Sequence, residues 1–249
     1  MKRLYEYLLI LGDSPLILGH RLSELTGHGP NLETDIAIGN IALDLLGQVR
    51  NWFQYAAEVQ GEGKTEDDIT FLRYEHEYRC VLLTEQPNKD FAWVIARQFY
   101  FDAWHHALLE KLSDSKDERI AAIATKSLKE VAYHRRFSSE WVKRLGDGTE
   151  ESRRRMTDAI QHFSRYTGEL FEESAVELEM ADAGIGARPS LILADFQSYT
   201  NEVLQEAGLE IPSYEWSQSG GKKGVHSEHL GYILAELQYM QRAYPGMQW

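Results

Sequence analysis

Histidine and carboxylate side chains that lie three or four residues apart are the groups of this sequence best suited to binding a metal. Asp102 precedes His105 by three residues, and Glu130 precedes His134 by four. Residues at these spacings share one face of a helix, so both side chains reach the same region beside it. Helical bundles that hold two irons use two Glu-x-x-His motifs and one further Glu from each of two other helices. An iron pair is therefore the chemistry to test against this sequence.

The motif that such an iron pair requires is missing, because no Glu-x-x-His occurs in the sequence. Asp102 offers only a shorter carboxylate at the required spacing, and neither pattern occurs twice. We therefore interpret Asp102, His105 and His106 as a polar network or a partly exposed helix face. Buried polar side chains are nearly always hydrogen-bonded, and we interpret Glu130 with His134 as a buried pair of that kind.

Two further groups of polar residues lie near the end of the sequence. His226 and His229 have a spacing that suits a metal, but the sequence shows no third ligand near them, which favours helix capping or partner contact. The loop 220–224 contains three glycines together with Lys222 and Lys223, directly before a predicted helix. Glycines expose backbone amides, so the loop could bind a phosphate or a carboxylate. A flexible, solvated turn is the alternative.

The composition is that of a globular protein of one domain. A chain of 249 residues is long enough to bury a continuous core, and its formal net charge of -13 argues against nucleic acid or an anionic membrane as the main partner. Cys80 is the only cysteine, so it cannot form an intrachain disulfide, and we expect it to pack as a small core residue. The sequence shows no signal peptide and no membrane span, which favours a cytoplasmic protein.

Helical periodicity runs through the chain and predicts an all-α fold. Gly12 is expected to end the first helix, and Ser14 with Pro15 to begin the second. Asn31, Asp90 and Thr149 are expected to cap later helices. We predict a core bundle at about 31–145 and C-terminal helices at about 150–244 within one domain. The predicted helices are 2–11, 14–25, 31–58, 65–85, 91–113, 117–145, 150–180, 189–207 and 227–244.

One apolar stripe is predicted along the helix at 31–58. Gly39 interrupts it, and we expect the glycine to allow a neighbouring helix to approach closely. The residues of the predicted stripe are Leu32, Ile36, Leu43, Leu46, Val49, Phe53 and Ala57.

Several motifs resemble the C subunit family of phenylacetyl-CoA epoxidase, and the match extends over essentially the whole chain. They are LGDSPLILG at 11–19, NIALDLLGQ at 40–48, DAWH at 102–105, KEVAYH at 129–134, GGKKGVHSEHLG at 220–231 and PGMQW at 245–249. The resemblance implies a ferritin-like protein that pairs with a homologous catalytic subunit. The complex adds one oxygen atom of O2 across the ring of phenylacetyl-CoA. The system is completed by a reductase with FAD and an iron–sulfur centre and by a small third subunit.

The same resemblance implies that this chain has lost its iron ligands. Where the catalytic homologue has a glutamate and a histidine, this sequence has Leu45 and Gln48, and a second ligand glutamate is replaced by Val131. His134 remains without its carboxylate. The resemblance therefore implies a structural subunit with no catalytic residue, metal or cofactor of its own, which docks on the di-iron subunit or forms a homodimer when alone.

Two roles and two alternative functions stay open at this point. Lys222 and Lys223 are candidates for contact with a partner or with the phosphates of coenzyme A. The first alternative is a divergent di-metal oxidase or oxygenase, with carboxylates of the helix at 31–58 beside the histidines considered above. The second is a ferritin-like storage or stress protein. The ligands of the oxidase alternative would be Asp102, His105, Glu130, His134 and Glu33 or Asp35.

Overall fold

The computed structural model describes residues 1–213 and 216–247, and the last two residues of the PGMQW motif lie outside this part. The described residues contain helices and irregular segments but no strand, which confirms the all-α prediction. No helix among them is long and apolar enough to cross a membrane. The α-helices are α1 Lys2–Ser23, α2 Leu32–Gln60, α3 Glu66–Phe71, α4 Leu82–Glu85, α5 Phe91–Leu112, α6 Glu118–Gly146, α7 Glu150–Ser164, α8 Ala175–Asp182, α9 Leu193–Glu206, α10 Glu228–Leu237 and α11 Tyr239–Ala243.

The chain forms two compact units. The first unit comprises residues 1–87 and the described residues from 220 onward, and α1 packed along α2 is its main element. The second unit comprises the described residues of 88–219, and α5 packs there against α6, α7 and α9. Each unit therefore has a pair of long helices at its centre, onto which the shorter elements pack.

The predicted break at Gly12 is wrong, because α1 continues from Lys2 to Ser23 with Pro15 inside it. Gly12 is needed for its size: a side chain there would overlap the ring of Phe53 on α2. Proline removes one helical hydrogen bond and normally disturbs a helix. Here the neighbouring Ser14 is buried, and its Oγ accepts a hydrogen bond from the backbone N–H of Val81 at 3.1 Å. Packing on both sides thus holds α1 in one piece.

The single helix predicted at 65–85 is also wrong. The segment forms the short helices α3 and α4 with one turn of 3-10 helix, Glu75–Glu77, between them. Its polar groups form hydrogen bonds outside the regular pattern of a helix. The carboxylate of Asp13 accepts one from the backbone N–H of Arg79 at 2.7 Å and another from the guanidinium of Arg73. Tyr78 donates its hydroxyl hydrogen to the backbone oxygen of Thr70 at 2.7 Å. The bundle expected from four successive long helices therefore does not include this segment.

Helix α2 divides its apolar residues between two faces, so the predicted single stripe is wrong. Phe53 is fully buried, whereas Leu32, Ile36 and Leu43 are 70%, 53% and 67% exposed. Outside its own helix, no described residue would lie within 4 Å of a side chain at Gly39, so the described residues do not make the close approach expected there. We call the exposed row the α2 apolar stripe; its residues are Leu32, Ile36, Gly39, Leu43 and Gly47.

Local signals mark where several helices begin, but they do not show where the C-terminal helices are interrupted. Asn31, Asp90 and Thr149 accept hydrogen bonds from backbone N–H groups at the starts of α2, α5 and α7, as predicted. The helix predicted at 150–180 is interrupted after α7, and a 3-10 turn, Gly168–Phe171, precedes α8. The helix predicted at 189–207 begins with a 3-10 turn, Pro189–Ile192, before α9, and the last predicted helix is divided into α10 and α11.

Candidate functional site

A buried hydrogen-bond network surrounds Asp102 in the second unit. Gln98, one turn earlier on α5, donates from Nε2 to Asp102 Oδ1 at 2.6 Å, and Ser138 on α6 donates from Oγ to Oδ2 at 2.8 Å. Burial raises the pKa of Asp102 to about 8, although both hydrogen bonds act in the opposite direction. The carboxyl group is therefore mostly protonated at neutral pH, a state in which it is a poor metal ligand.

His105 lies one turn after Asp102 and is also buried. Burial, followed by the neighbouring His134 and His106, lowers the pKa of His105 to about 3. Its ring packs against the ring of Phe101 with 5.0 Å between the centroids. The imidazole is thus neutral and lies among aromatic groups, and its Nδ1 has no hydrogen-bond partner among the described residues.

The pH dependence of stability should separate these two groups. The carboxyl of Asp102 has a higher pKa in the folded chain than in the unfolded chain. Its contribution to the free energy of unfolding is therefore lost as pH rises from about 4 to 8. His105 has a lower pKa folded, so its contribution is lost as pH falls from 6.5 towards 3. Below pH 6.5 the effects of Asp102 and His105 on the free energy of unfolding oppose each other. Above pH 6.5 only the effect of Asp102 remains. We expect the free energy of unfolding to fall by about 2 kcal/mol between pH 6.5 and 8.

The measurement is urea denaturation across this pH range with the Asp102→Asn variant beside the natural chain. Asparagine keeps the shape of the carboxyl group and one of its two acceptor oxygens but cannot ionise, so we expect the decline above pH 6.5 to disappear. Asp114→Asn, at an exposed position of the same unit, is the matched control and should leave the decline unchanged. An equally steep decline in Asp102→Asn would show that another group causes it.

The positions predicted to correspond to the iron ligands of a catalytic homologue do not fit an iron pair. Leu45 and Gln48 in the first unit and Val131 and His134 in the second are all buried. Leucine and valine have no ligand atom, and an iron pair bridged by carboxylates needs several oxygen and nitrogen donors.

The other carboxylates of the oxidase alternative do not supply the missing metal ligands. Glu130 is half-buried and His134 is buried, so the interpretation of the two as a hydrogen-bonded pair stays a prediction. The carboxylate of Asp35 accepts the backbone N–H groups of Gly27 and Gly29, both at 2.9 Å, and Glu33 is exposed. Asp35 thus holds the turn before α2, which is a local structural role.

The lysine loop at 220–224 is packed, whereas the alternative interpretation had it solvated. A side chain at Gly221 would overlap the carbonyl oxygen of Cys80, and Gly220 and Gly224 have φ angles of 142° and 78°, which favour glycine. Lys222 is buried and Lys223 is exposed. Of the two candidate contact residues, Lys223 is the more accessible to a partner or a ligand.

His226 has neighbours that sequence reasoning missed. Glu85 and Cys80 lie against its ring, although they precede it by more than 140 residues. His229, paired with His226 by spacing alone, is not part of this cluster. No local signal could have found the arrangement, because it depends on how the end of the chain folds back.

Comparison with known proteins gives two concordant results. The sequence model of a family described as "Phenylacetic acid catabolic protein" matches residues 1–249. The C subunit of the 1,2-phenylacetyl-CoA epoxidase of Escherichia coli (strain K12) is 47% identical over 249 residues, which is 100% of both chains. The similarity therefore covers every element described above.

Proposed function

The chain belongs to the phenylacetic acid catabolic protein family, and from this premise we propose that it is the non-catalytic structural subunit of a phenylacetyl-CoA epoxidase. The observation that carries the proposal is the full-length identity of 47% to a protein named as the C subunit of that epoxidase. On this proposal the chain acts in aerobic phenylacetate catabolism, in the cytoplasm. Residues 1–249 act as one ferritin-like domain, which predicts a single cooperative transition in calorimetry.

The absence of iron ligands supports the non-catalytic part of the proposal. Leu45 and Val131 occupy positions where the catalytic homologue is expected to have glutamates, and both are fully buried. Packing then replaces the contribution that a metal would make to the core. The reaction, its di-iron centre and the substrate would belong to the catalytic subunit, with electrons supplied through the FAD and iron–sulfur centres of the reductase.

The α2 apolar stripe supports docking on another protein. Three large apolar side chains follow one another along one face of α2, and Gly39 between them and Gly47 after them leave the backbone accessible. Monomeric proteins seldom expose a contiguous apolar row of this kind. We propose that a helix of the catalytic subunit packs along this stripe, within an obligate interface on the order of 2,000 Å² or more, and that the small subunit joins the same complex. A homodimer through the same face is the form expected for the chain alone.

The experiment is co-purification of the chain with its catalytic homologue, with the mass of the complex measured by light scattering. Leu43→Arg would place a charge in the middle of the interface, and we expect at least a 100-fold loss of affinity. Leu191→Arg is the matched control, because Leu191 is 68% exposed and Leu43 is 67% exposed. The control variant should assemble normally.

Two results would contradict the proposal at different levels. If the natural chain stays monomeric when mixed with its catalytic homologue, the structural-subunit proposal fails. If the complex forms equally well with Leu43→Arg, only the assignment of the interface to α2 fails. The same assay tests the lysine loop: normal assembly and turnover with both Lys222 and Lys223 replaced by Ala would exclude their role in partner or phosphate contact.

A further inference from the structure

Three different potential metal ligands meet inside the first unit. Cys80 Sγ lies 3.7 Å from Glu85 Oε1 and 3.8 Å from His226 Nδ1, and the Glu85 and His226 atoms are 2.7 Å apart. The Cys80 residue and the Glu85 side chain are completely buried, and the His226 side chain is 1% exposed. A thiol, a carboxylate and an imidazole thus converge where almost no water reaches them.

The distances are close to those around a tetrahedral zinc ion. Zinc binds sulfur at about 2.3 Å and nitrogen or oxygen at about 2.0–2.2 Å, which places sulfur roughly 3.5 Å from the other two ligand atoms. The two sulfur distances in the structure exceed this value only slightly. The contact between Glu85 and His226 is a hydrogen bond, and it would lengthen by about 0.5 Å when an ion replaces the shared proton.

The atoms that face away from the cluster are held by partners, as in natural metal sites. His226 Nε2 lies 3.1 Å from the carbonyl oxygen of Tyr78, which can only accept, so this nitrogen carries the hydrogen and Nδ1 faces the cluster. Glu85 Oε2 accepts the backbone N–H of Ser227 at 2.8 Å and its Oγ–H at 2.6 Å, which directs Oε1 inward. Such outer contacts fix the orientation of metal ligands and raise their affinity.

The balance of charge also favours a divalent ion. A thiolate, a carboxylate and a neutral imidazole together carry two negative charges, which Zn²⁺ neutralises. Burying an uncompensated charge costs several kcal/mol, so a neutral buried site is strongly preferred. The combination of sulfur, nitrogen and oxygen donors suits zinc better than calcium or magnesium, which prefer oxygen donors alone.

We propose that Cys80, Glu85 and His226 form a structural zinc site that binds the segment around α4 to the segment that leads into α10. A single buried water molecule would complete the four ligands of the ion. The site uses none of the positions that correspond to iron ligands, so it is independent of the proposed epoxidase role. Its effect would be to hold the lysine loop, which packs on the Cys80 carbonyl, in one conformation.

The first test is the metal content of the whole chain. The chain is purified under reducing conditions, stripped with a chelator, incubated with zinc and dialysed, and its metals are measured by elemental mass spectrometry. We expect about one zinc per chain. Cobalt is then used as a spectroscopic probe, because a thiolate bound to Co²⁺ gives a charge-transfer band in the near ultraviolet.

Variants assign the ion to these residues. Cys80→Ser, which changes one atom, should abolish the charge-transfer band and weaken zinc binding at least 100-fold, with circular dichroism confirming that the chain is folded. Ser227→Ala should weaken binding about 10- to 100-fold through the carboxylate it orients. His229→Gln is the matched control and should bind as the natural chain does. His20→Gln is a second control, since His20, Glu24 and Glu236 form another group that could hold an ion nearer the surface.

The outcomes separate this proposal from the proposed function. No zinc bound to the natural chain, or unchanged binding in folded Cys80→Ser, would overturn the zinc site and leave the structural-subunit role intact. Two irons per chain in the same elemental analysis, after expression with added iron, would overturn the non-catalytic role instead.

Discussion

Replacing Asp13 by Ala is expected to lower the free energy of unfolding by about 3–5 kcal/mol. Asp13 is fully buried and forms a two-point ion pair with Arg73, whose Nη1 donates to Oδ2 at 2.9 Å. The same carboxylate accepts the backbone N–H of Arg79 at 2.7 Å. Removing it would leave a guanidinium with little access to water and a backbone donor without its partner, and both changes favour the unfolded chain.

The measurement is equilibrium unfolding in urea at constant pH, with two comparisons. Glu6→Ala removes the partner of Arg3 in an exposed ion pair of 3.2 Å, and its effect should stay below about 1 kcal/mol. The double variant Asp13→Ala, Arg73→Met should recover much of the lost stability, because it removes the isolated charge as well. A loss below about 1 kcal/mol in Asp13→Ala alone would contradict the structural role given to this ion pair.

Replacing Phe53 by Ala is expected to destabilise the chain by about 3–5 kcal/mol as well. The Phe53 side chain is fully buried and fills the space that Gly12 leaves on α1. Its removal would leave a cavity between the two long helices of the first unit, and a proline-containing helix has little freedom to close it. The guanidinium of Arg73, 5.3 Å from the Phe53 ring centre, would lose a packing surface.

Leu43→Ala on the same helix is the matched comparison for Phe53→Ala. Leucine at this exposed position contacts little in the free chain, so the free energy of unfolding should change by no more than about 0.5 kcal/mol. Both variants are measured by urea unfolding of the chain alone, at a concentration low enough for light scattering to show a monomer. Equal losses in the two variants would mean that the α2 apolar stripe is packed in the free chain, and its proposed role in docking would fail.

These comparisons separate two uses of apolar residues on α2. The face that bears Phe53 stabilises this chain, whereas the face that bears Leu43 is available to another chain. A non-catalytic subunit of the kind proposed needs a defined surface for its partner, and a long, well-supported helix provides one. The packing of the Phe53 face therefore holds α2 in place, and this keeps the Leu43 face in one position for the partner.

Much of the architecture was determined by the sequence alone. Periodicity predicted an all-α chain, and the capping residues Asn31, Asp90 and Thr149 marked true helix starts, because caps depend on atoms only two or three residues away. The absence of Glu-x-x-His was likewise visible without a structure. Local chemistry of this kind is encoded over a few neighbouring residues.

Tertiary structure alone decided the features that depend on distant partners. Gly12 and Pro15 signal a break, but Phe53, some forty residues later in the sequence, packs on the glycine and helps to keep α1 continuous. The segment 65–85 has a helical pattern, yet its polar groups bond to Asp13 and to one another. Cys80, Glu85 and His226 converge only after the chain has folded. Burial and long-range hydrogen bonds outweigh the local helix propensity at these places. Each of them contributes more free energy than the difference between a helical and a non-helical backbone at one residue.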